Sequence, residues 1–236
     1  MAQYSSQIGT KKDTEWKMAE TSASEDLRFY LEEAKNESIV CAVVGAAGCG
    51  KSQTIQQFAK SNKGVHLISC MDHWNRRVFV GKLLKSLGVS YTSTSISEMM
   101  EEVVDALNKM EAPIIVLDEA DKLSDPLLYF FITLYNELEG RCGIVLCATA
   151  HLEKRILRGV RLGKKGYEEI FSRLGRKFIA LSPIDDEDVA LVCRENGVKS
   201  LRAIQEIISE CEGDLRRVKR AVWKLKKEEA HGEGIL

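Results

Sequence analysis

Residues 45–52 read Gly45-Ala46-Ala47-Gly48-Cys49-Gly50-Lys51-Ser52, and residues 114–119 read Ile114-Ile115-Val116-Leu117-Asp118-Glu119. The first stretch fits G-x-x-x-x-G-K-[ST] and lies between an apolar run, Ile39–Val44, and a helical pattern, Lys51–Lys60. That order of strand, glycine turn and helix is what a phosphate site requires. Glycines let backbone N–H groups turn toward phosphate oxygens, and the helix offers them its positive end. Lys51 is expected to reach the β- and γ-phosphates of a bound nucleotide, and Ser52 to ligate Mg²⁺. With Gln53 in the first helical turn, residues Gly45 to Gln53 form the expected nucleotide-contacting set.

The second stretch is a buried strand that ends in two adjacent carboxylates, 67 residues after Lys51. Asp118 is expected to hold Mg²⁺ through water. Glu119 is then placed to orient and deprotonate an attacking water. The competing reading makes Asp118, Glu119 and Asp121 a cluster that stabilises a helix N-terminus.

Outward from these two stretches, short apolar runs alternate with helical patterns. Strands are expected at Ile39–Val44, Val65–Cys70, Ile114–Asp118, Gly143–Ala148 and Phe178–Leu181. Helices are expected from Ser24, as N-cap, to about Asn36, then at 51–60, 76–87, 97–110 and 127–139. Apolar strands separated by helices predict an α/β fold with a parallel sheet covered on two sides, here five-stranded. After Ser182-Pro183 the pattern is helical only, at 185–196, 200–211 and 214–227, punctuated by Gly197 and Gly213. The expected organisation is therefore a flexible arm at 1–23, a core at 24–182, a small all-helical lid at 183–228 and a frayed tail at 229–236.

The chain has 236 residues, of which 44% are apolar and 29% charged, which excludes disordered, collagen-like and coiled-coil classes. Lys and Arg number 34 against 35 Asp and Glu, so the net charge of −1 says nothing about partners. Its distribution does. Ser95–Gly140 carries 11 acidic and 2 basic residues, whereas His151–Lys177 carries 9 basic and 3 acidic. An acidic face and a basic strip suit a polyanion, or association between unlike faces of two copies. Seven cysteines, an odd number with no C-x-x-C pair, read as reduced core thiols, not a zinc site. The N-terminus lacks a signal-peptide pattern, and the longest apolar run, Ile39 to Cys49, is too short to span a bilayer. A soluble, cytoplasmic protein with no membrane partner is expected.

The ordered set GAAGCGKS, IIVLDEAD, a strand ending in Ala148-Thr149, SRLGRKF, and a helical tail with Gly213-Asp214-Leu215-Arg216-Arg217 resembles an AAA+ ATPase over roughly residues 24–228. That resemblance implies a P-loop NTPase fold and adds three roles. Thr149 takes the sensor 1 position, where many members carry Asn. Arg173 takes the position of an arginine finger acting in a neighbouring subunit, with Arg176 as competitor. Arg216 takes the sensor 2 position of the lid, with Arg217 as alternative.

Within the superfamily, the compact core and basic stretch are most similar to the DNA-transposition ATPases: the phage Mu B protein, TnsC and IstB. This implies ATP-dependent homo-oligomers or helical filaments on duplex DNA that recruit or stimulate a transposase. The Mu B protein carries a separate N-terminal DNA-binding domain; only about 38 residues precede the first strand here, so the core is expected to carry DNA contacts. Two alternatives stand beside this reading. One is a helicase loader or replication initiator, although no winged-helix or helix-turn-helix unit is legible after residue 228. The other is a nucleotide-switched scaffold without hydrolysis.

Two basic sites are candidates for the DNA surface. One is Arg76, Arg77, Lys82 and Lys85. The other is a helix with His151, Lys154, Arg155 and Arg158 on one face and Leu152, Ile156 and Leu157 left for packing. Arg161, Lys164 and Lys165 extend the second through a glycine-rich loop. Such cations give affinity for a phosphate backbone without base readout. Trp74 and Tyr91 are expected to pack, Trp223 to lie in the lid core, and Glu98, Glu101, Glu102 and Asp105 to form a wet helix face.

Overall fold

The computed structural model describes residues 16–92 and 95–232, the last four by backbone alone. Helix α1 spans Ser22–Asn36, followed by β1 (Val40–Val44), α2 (Lys51–Ser61), β2 (Val65–Ser69), α3 (Arg76–Ser86) and α4 (Ile96–Asn108). Next come β3 (Ile114–Asp118), a 3₁₀ turn (Ala120–Lys122), α5 (Asp125–Leu138), β4 (Gly143–Ala148), α6 (Ala150–Arg161), α7 (Tyr167–Arg173) and β5 (Ile179–Ala180). Helices α8 (Asp186–Glu195), α9 (Leu201–Cys211) and α10 (Leu215–Gly232) complete the order. Five strands form one parallel sheet in the order β2-β3-β4-β1-β5, the fold expected for a P-loop NTPase.

Register places the site. Val44 pairs with Ala148 and Ala180, and Leu117 pairs with Leu146. The C-terminal ends of β1, β3 and β4 therefore share one sheet edge, where α/β sheets bind ligands. Strand β3 is buried at every position, and so is β4. Two apolar layers account for this. Leu83, Phe131, Leu146 and Ile156 belong to the layer on one face; Leu27, Leu31, Ile55 and Val145 belong to the other. A third core of Val189, Cys193, Ile204, Val218 and Val222 holds α8, α9 and α10 together.

Local chemistry moves several expected boundaries. The N-cap of α1 is Thr21, not Ser24: Thr21 Oγ1 accepts from the Ser24 N–H at 3.3 Å, and the buried Ser24 hydroxyl donates to the Thr21 carbonyl at 2.7 Å. Helix α5 starts at Asp125, ahead of the expected Leu127, because Pro126 suits a first helical turn. Of the expected 1–23 arm, residues 1–15 lie outside the described residues, and the segment from Trp16 to Ser22 packs on the lid as a strap. The Lys17 N–H donates to Asn196 Oδ1 at 3.0 Å, Asn196 Nδ2 donates back to the Lys17 carbonyl at 2.9 Å, and the Ser22 N–H donates to Asp188 Oδ1 at 2.9 Å. Asn196 and Asp188 are both buried, so the strap satisfies polar groups that would otherwise be costly. Helix α10 runs on through Gly232, into the expected tail; residues 233–236 lie outside the described residues.

Trp223 is not lid core. It is 58% exposed, because Val218 and Val222 set the inward phase of α10 and the next residue falls about 100° away. Leu157 is likewise 40% exposed on α6. Trp74 does pack in the core, and Tyr91 lies against Gly81, where a Cβ would come 2.5 Å from its hydroxyl. Among the four expected wet acids, Glu102 is partly turned in, with Oε2 buried and no hydrogen-bond partner among the described residues.

Candidate functional site

The loop after β1 is built on its glycines. Gly48 (φ +83°) and Gly50 (φ +96°) are left-handed, a conformation that strains other residues. The Gly45 N–H donates to the Ala148 carbonyl at 3.1 Å, which ties the loop to the end of β4. Lys51 Nζ donates to the carbonyls of Gly45 and Ala46, both at 2.8 Å, and lies 3.6 Å from the buried Cys49 sulfur. Those carbonyls hold the ammonium at the loop, and phosphate oxygens are acceptors of the same kind.

Asp118 is 4% exposed at the end of β3. Burial pushes its carboxyl above the ordinary carboxylate range and the Glu119 charge adds to this, against the Ser52 hydroxyl, the Glu119 N–H (2.9 Å to Oδ1) and the Lys51 charge. A buried carboxylate and a serine hydroxyl lining the same cleft form a hard, oxygen-only donor pair. It fits Mg²⁺, which takes few protein ligands and keeps waters.

Glu119 turns out of the strand with φ 56° and ψ 39°. Its Oε2 accepts from Lys122 Nζ at 2.6 Å. Thr149 is the N-cap of α6; its hydroxyl accepts from the His151 N–H at 3.3 Å and donates to Asp121 Oδ2 at 3.2 Å. Asp121, expected only as a member of a cap cluster, is thus a cleft residue. Its signal is the spacing Asp118-Glu119-Ala120-Asp121, which turns back toward the strand end through a 3₁₀ turn.

From the lid, the Leu215 N–H donates to the Gly48 carbonyl at 3.1 Å, and Asp214 Oδ1 accepts from the Arg216 N–H at 2.8 Å. A Cβ on Gly48 would lie 2.0 Å from Asp214 Oδ1, so glycine is what permits the lid to sit on the loop. Arg216 lines the cleft, whereas Arg217 pairs with Glu212 at 2.7 Å.

The resulting cleft holds about 460 Å³. It gathers Lys51, Ser52, Gln53, Asp118, Glu119, Thr149 and Arg216. It also gathers Trp16, Met18 and Thr21 of the strap and Lys219 of α10, none of which the sequence singled out.

Other expected residues lie elsewhere. Arg173 bonds Asn136 Oδ1 at 3.0 and 3.2 Å, pairs with Glu169 at 2.9 Å and sits 5.4 Å from the Tyr135 ring centroid. Arg176 is more exposed and pairs with Glu168 at 3.2 Å. Neither lines this chain's cleft. Arg76, Arg77 and Lys82 are exposed on α3, with Lys82 Nζ 5.7 Å from the Trp74 ring. Lys154, Arg158, Arg161, Lys164 and Lys165 are exposed along α6 and its adjoining loop.

Arg155 does not join that strip. It turns inward to the Leu123 carbonyl at 2.6 Å, the Asp125 carboxylate and the Tyr167 hydroxyl at 3.4 Å. Gly159 makes room for this, since a Cβ there would meet the Tyr167 ring at 2.3 Å. Among the described residues no helix is long and apolar enough to cross a membrane.

Residues 35–156, more than half of the chain, match the family model described as AAA domain. No curated protein matches the chain in sequence. Among solved structures, the chain is similar to the ORC1 protein of Aeropyrum pernix, solved in complex with DNA, with a TM-score of 0.58 and 18% identity. The match covers 84% of this chain and 58% of that one, and what it shows is the fold.

Proposed function

This chain belongs to the AAA domain family, and from that premise we propose that it binds and hydrolyses Mg·ATP, oligomerises on duplex DNA with little sequence preference, and recruits or stimulates a transposase. The observation that carries the nucleotide reading is the cleft that brings Lys51, Ser52 and the buried Asp118 together behind the glycine loop. Lys51 exchanges its two loop carbonyls for β- and γ-phosphate oxygens. Ser52 and, through water, Asp118 would hold Mg²⁺, which would supply charge neutralisation at those phosphates. Glu119 orients and deprotonates the attacking water once its carboxylate leaves Lys122. Thr149 and Asp121 form one unit at the end of β4 that senses the γ-phosphate, and Arg216 reaches the same phosphate from the lid.

The arginine offered to a neighbouring copy is Arg173 or Arg176. Arg173 must first give up Asn136, Glu169 and Tyr135, whereas Arg176 gives up one ion pair. Duplex DNA lies along Lys154, Arg158, Arg161, Lys164 and Lys165, with Arg76, Arg77 and Lys82 as the second cationic site. Repetition of these contacts in an oligomer multiplies a modest single-copy affinity.

A second reading, a helicase loader or initiator-type ATPase, uses the same cleft. The fold it shares with the DNA-complexed ORC1 protein supports it. Electron microscopy of the purified protein with duplex DNA separates the two, using a non-hydrolysable ATP analogue beside an ADP control. Filaments or stacked rings around DNA with the analogue alone support the transposition-type reading. Closed rings without DNA overturn it in favour of a loader. Monomers in both states overturn it in favour of a nucleotide-binding scaffold.

A further inference from the structure

We propose that the outward face of α10 is a second binding surface, for unpaired, single-stranded nucleic acid. Val218 and Val222 take the inward phase of this helix. Arg216, Arg220, Trp223 and Lys227 fall at i, i+4, i+7 and i+11 and share one outward face, about 17 Å long at the helical rise. Between residues 215 and 228 the helix carries seven Lys and Arg residues against the single acid Glu228. Charge alone would suit any polyanion.

The exposed indole makes the surface specific. Trp223 is 58% exposed, with Lys227 Nζ 4.1 Å from its ring centroid and Lys224 beside it in the sequence. An indole among cations offers what an unpaired strand needs, a stacking platform beside phosphate-binding charges. Bases inside a duplex are already stacked and have no free face to give. The α6 strip differs in this respect: the ring that Lys164 approaches, Tyr167 at 5.9 Å, is buried, and Tyr129 beside Gly166 is partly buried. The two surfaces thus divide by ring exposure, cations over a buried ring on α6 and cations beside an exposed ring on α10.

The face begins at the nucleotide cleft, because Arg216 and Lys219 line that cleft. A strand laid along α10 therefore meets the lid at the helix whose N-terminus rests on the phosphate loop. The surface itself requires no nucleotide, so its test is independent of the ATPase reading.

The probe is a fluorescein-labelled oligo-dT, read by anisotropy with the full chain without nucleotide, beside a duplex of equal length. Trp223→Ala is expected to weaken oligo-dT binding about tenfold, by loss of one stacked base, with Trp223→Phe intermediate. Arg220→Glu/Lys224→Glu is expected to lower the salt slope for oligo-dT by about 1.4, at 0.7 per phosphate contact. Oligo-dT is expected to quench tryptophan emission in the native chain and to quench it far less in Trp223→Phe. Duplex binding is expected to be unmoved by Trp223→Ala and weakened by Lys154→Ala/Arg158→Ala. Oligo-dT affinity unchanged in both α10 variants overturns the proposal. So does a loss of self-association in sedimentation velocity without oligonucleotide while oligo-dT binding stays intact, which assigns the face to the acidic surface of a second copy.

Discussion

The phosphate loop and helix α6 both present cations beside the same sheet edge, yet residue order sets their geometry to different degrees. In the loop, backbone conformation does the placing: two left-handed glycines and the start of α2 leave Lys51 and Ser52 little choice of direction. On α6, helical spacing sets only the angle at which a side chain leaves the axis. What lies beneath decides the rest. Arg155 leaves between Lys154 and Arg158, but the Asp125 carboxylate, the Leu123 carbonyl and the Tyr167 hydroxyl draw it inside. A motif written in main-chain conformation carries its own geometry, whereas a charge pattern borrows its geometry from neighbours distant in sequence.

The largest effect that sharpens this contrast is expected at Glu119. Glu119→Gln should retain ATP binding and lose 10²- to 10⁴-fold in hydrolysis, roughly the worth of a general base. Single-turnover hydrolysis beside equilibrium binding of a fluorescent ATP analogue measures both. Equal loss in the two would mean that the cleft is less well ordered than its loop.

Next comes Arg155→Ala, expected to cost about 2–3 kcal/mol in urea unfolding, since buried acceptors and a carboxylate lose a charged donor. The effect depends on pH. Burial raises the Asp125 carboxyl, but the Arg155 and Tyr167 hydrogen bonds outweigh it and hold the group below its ordinary value of 3.8. Its contribution is therefore full above that value and fades as pH falls through the lower folded value. In Arg155→Ala this acid-side loss should shrink. Wild-type stability in the variant, with weakened DNA binding, would return Arg155 to the exposed strip.

The smallest effect belongs to that strip. Lys154→Ala/Arg158→Ala should change stability by less than about 0.5 kcal/mol. Duplex affinity should fall roughly tenfold, with the salt slope reduced by about 1.8, at 0.9 per phosphate contact. A slope unchanged from wild type would make the strip a solvated face.

The same distinction explains how much was legible in the residues. Strands β3 and β4 stand where their apolar runs end, because two-sided burial leaves no polar position to blur them. The cleft's Lys51, Ser52, Asp118 and Glu119 are readable from one strand end and one loop, and Thr149 only through the family resemblance. Trp223 was not, because size and apolarity do not set helical phase; Val218 and Val222 do. Nor was the strap legible. The Asn196 side-chain amide meets Lys17 across 179 positions at its main-chain N–H and carbonyl, which every residue possesses and no residue type announces. Asp121 fell between the two cases: its type was visible, but its partner, Thr149, lay 28 residues on.

All seven cysteines are free and buried, spread over every layer of the molecule. Cys41, Cys142 and Cys147 lie in or beside the sheet strands, Cys49 in the phosphate loop, and Cys193 and Cys211 in the lid. Burial pushes the Cys41 and Cys142 thiols up to about 12 and that of Cys193 to about 11, so these three are poor nucleophiles near neutral pH, and burial shields the others from reagent. The chain thereby carries its own clock. Under a pulse of alkylating reagent, each sulfur is tagged only when its surroundings open. The mass added at Cys193 and Cys211 relative to Cys41 and Cys147 then times the release of the lid against the melting of the sheet, with no label engineered in.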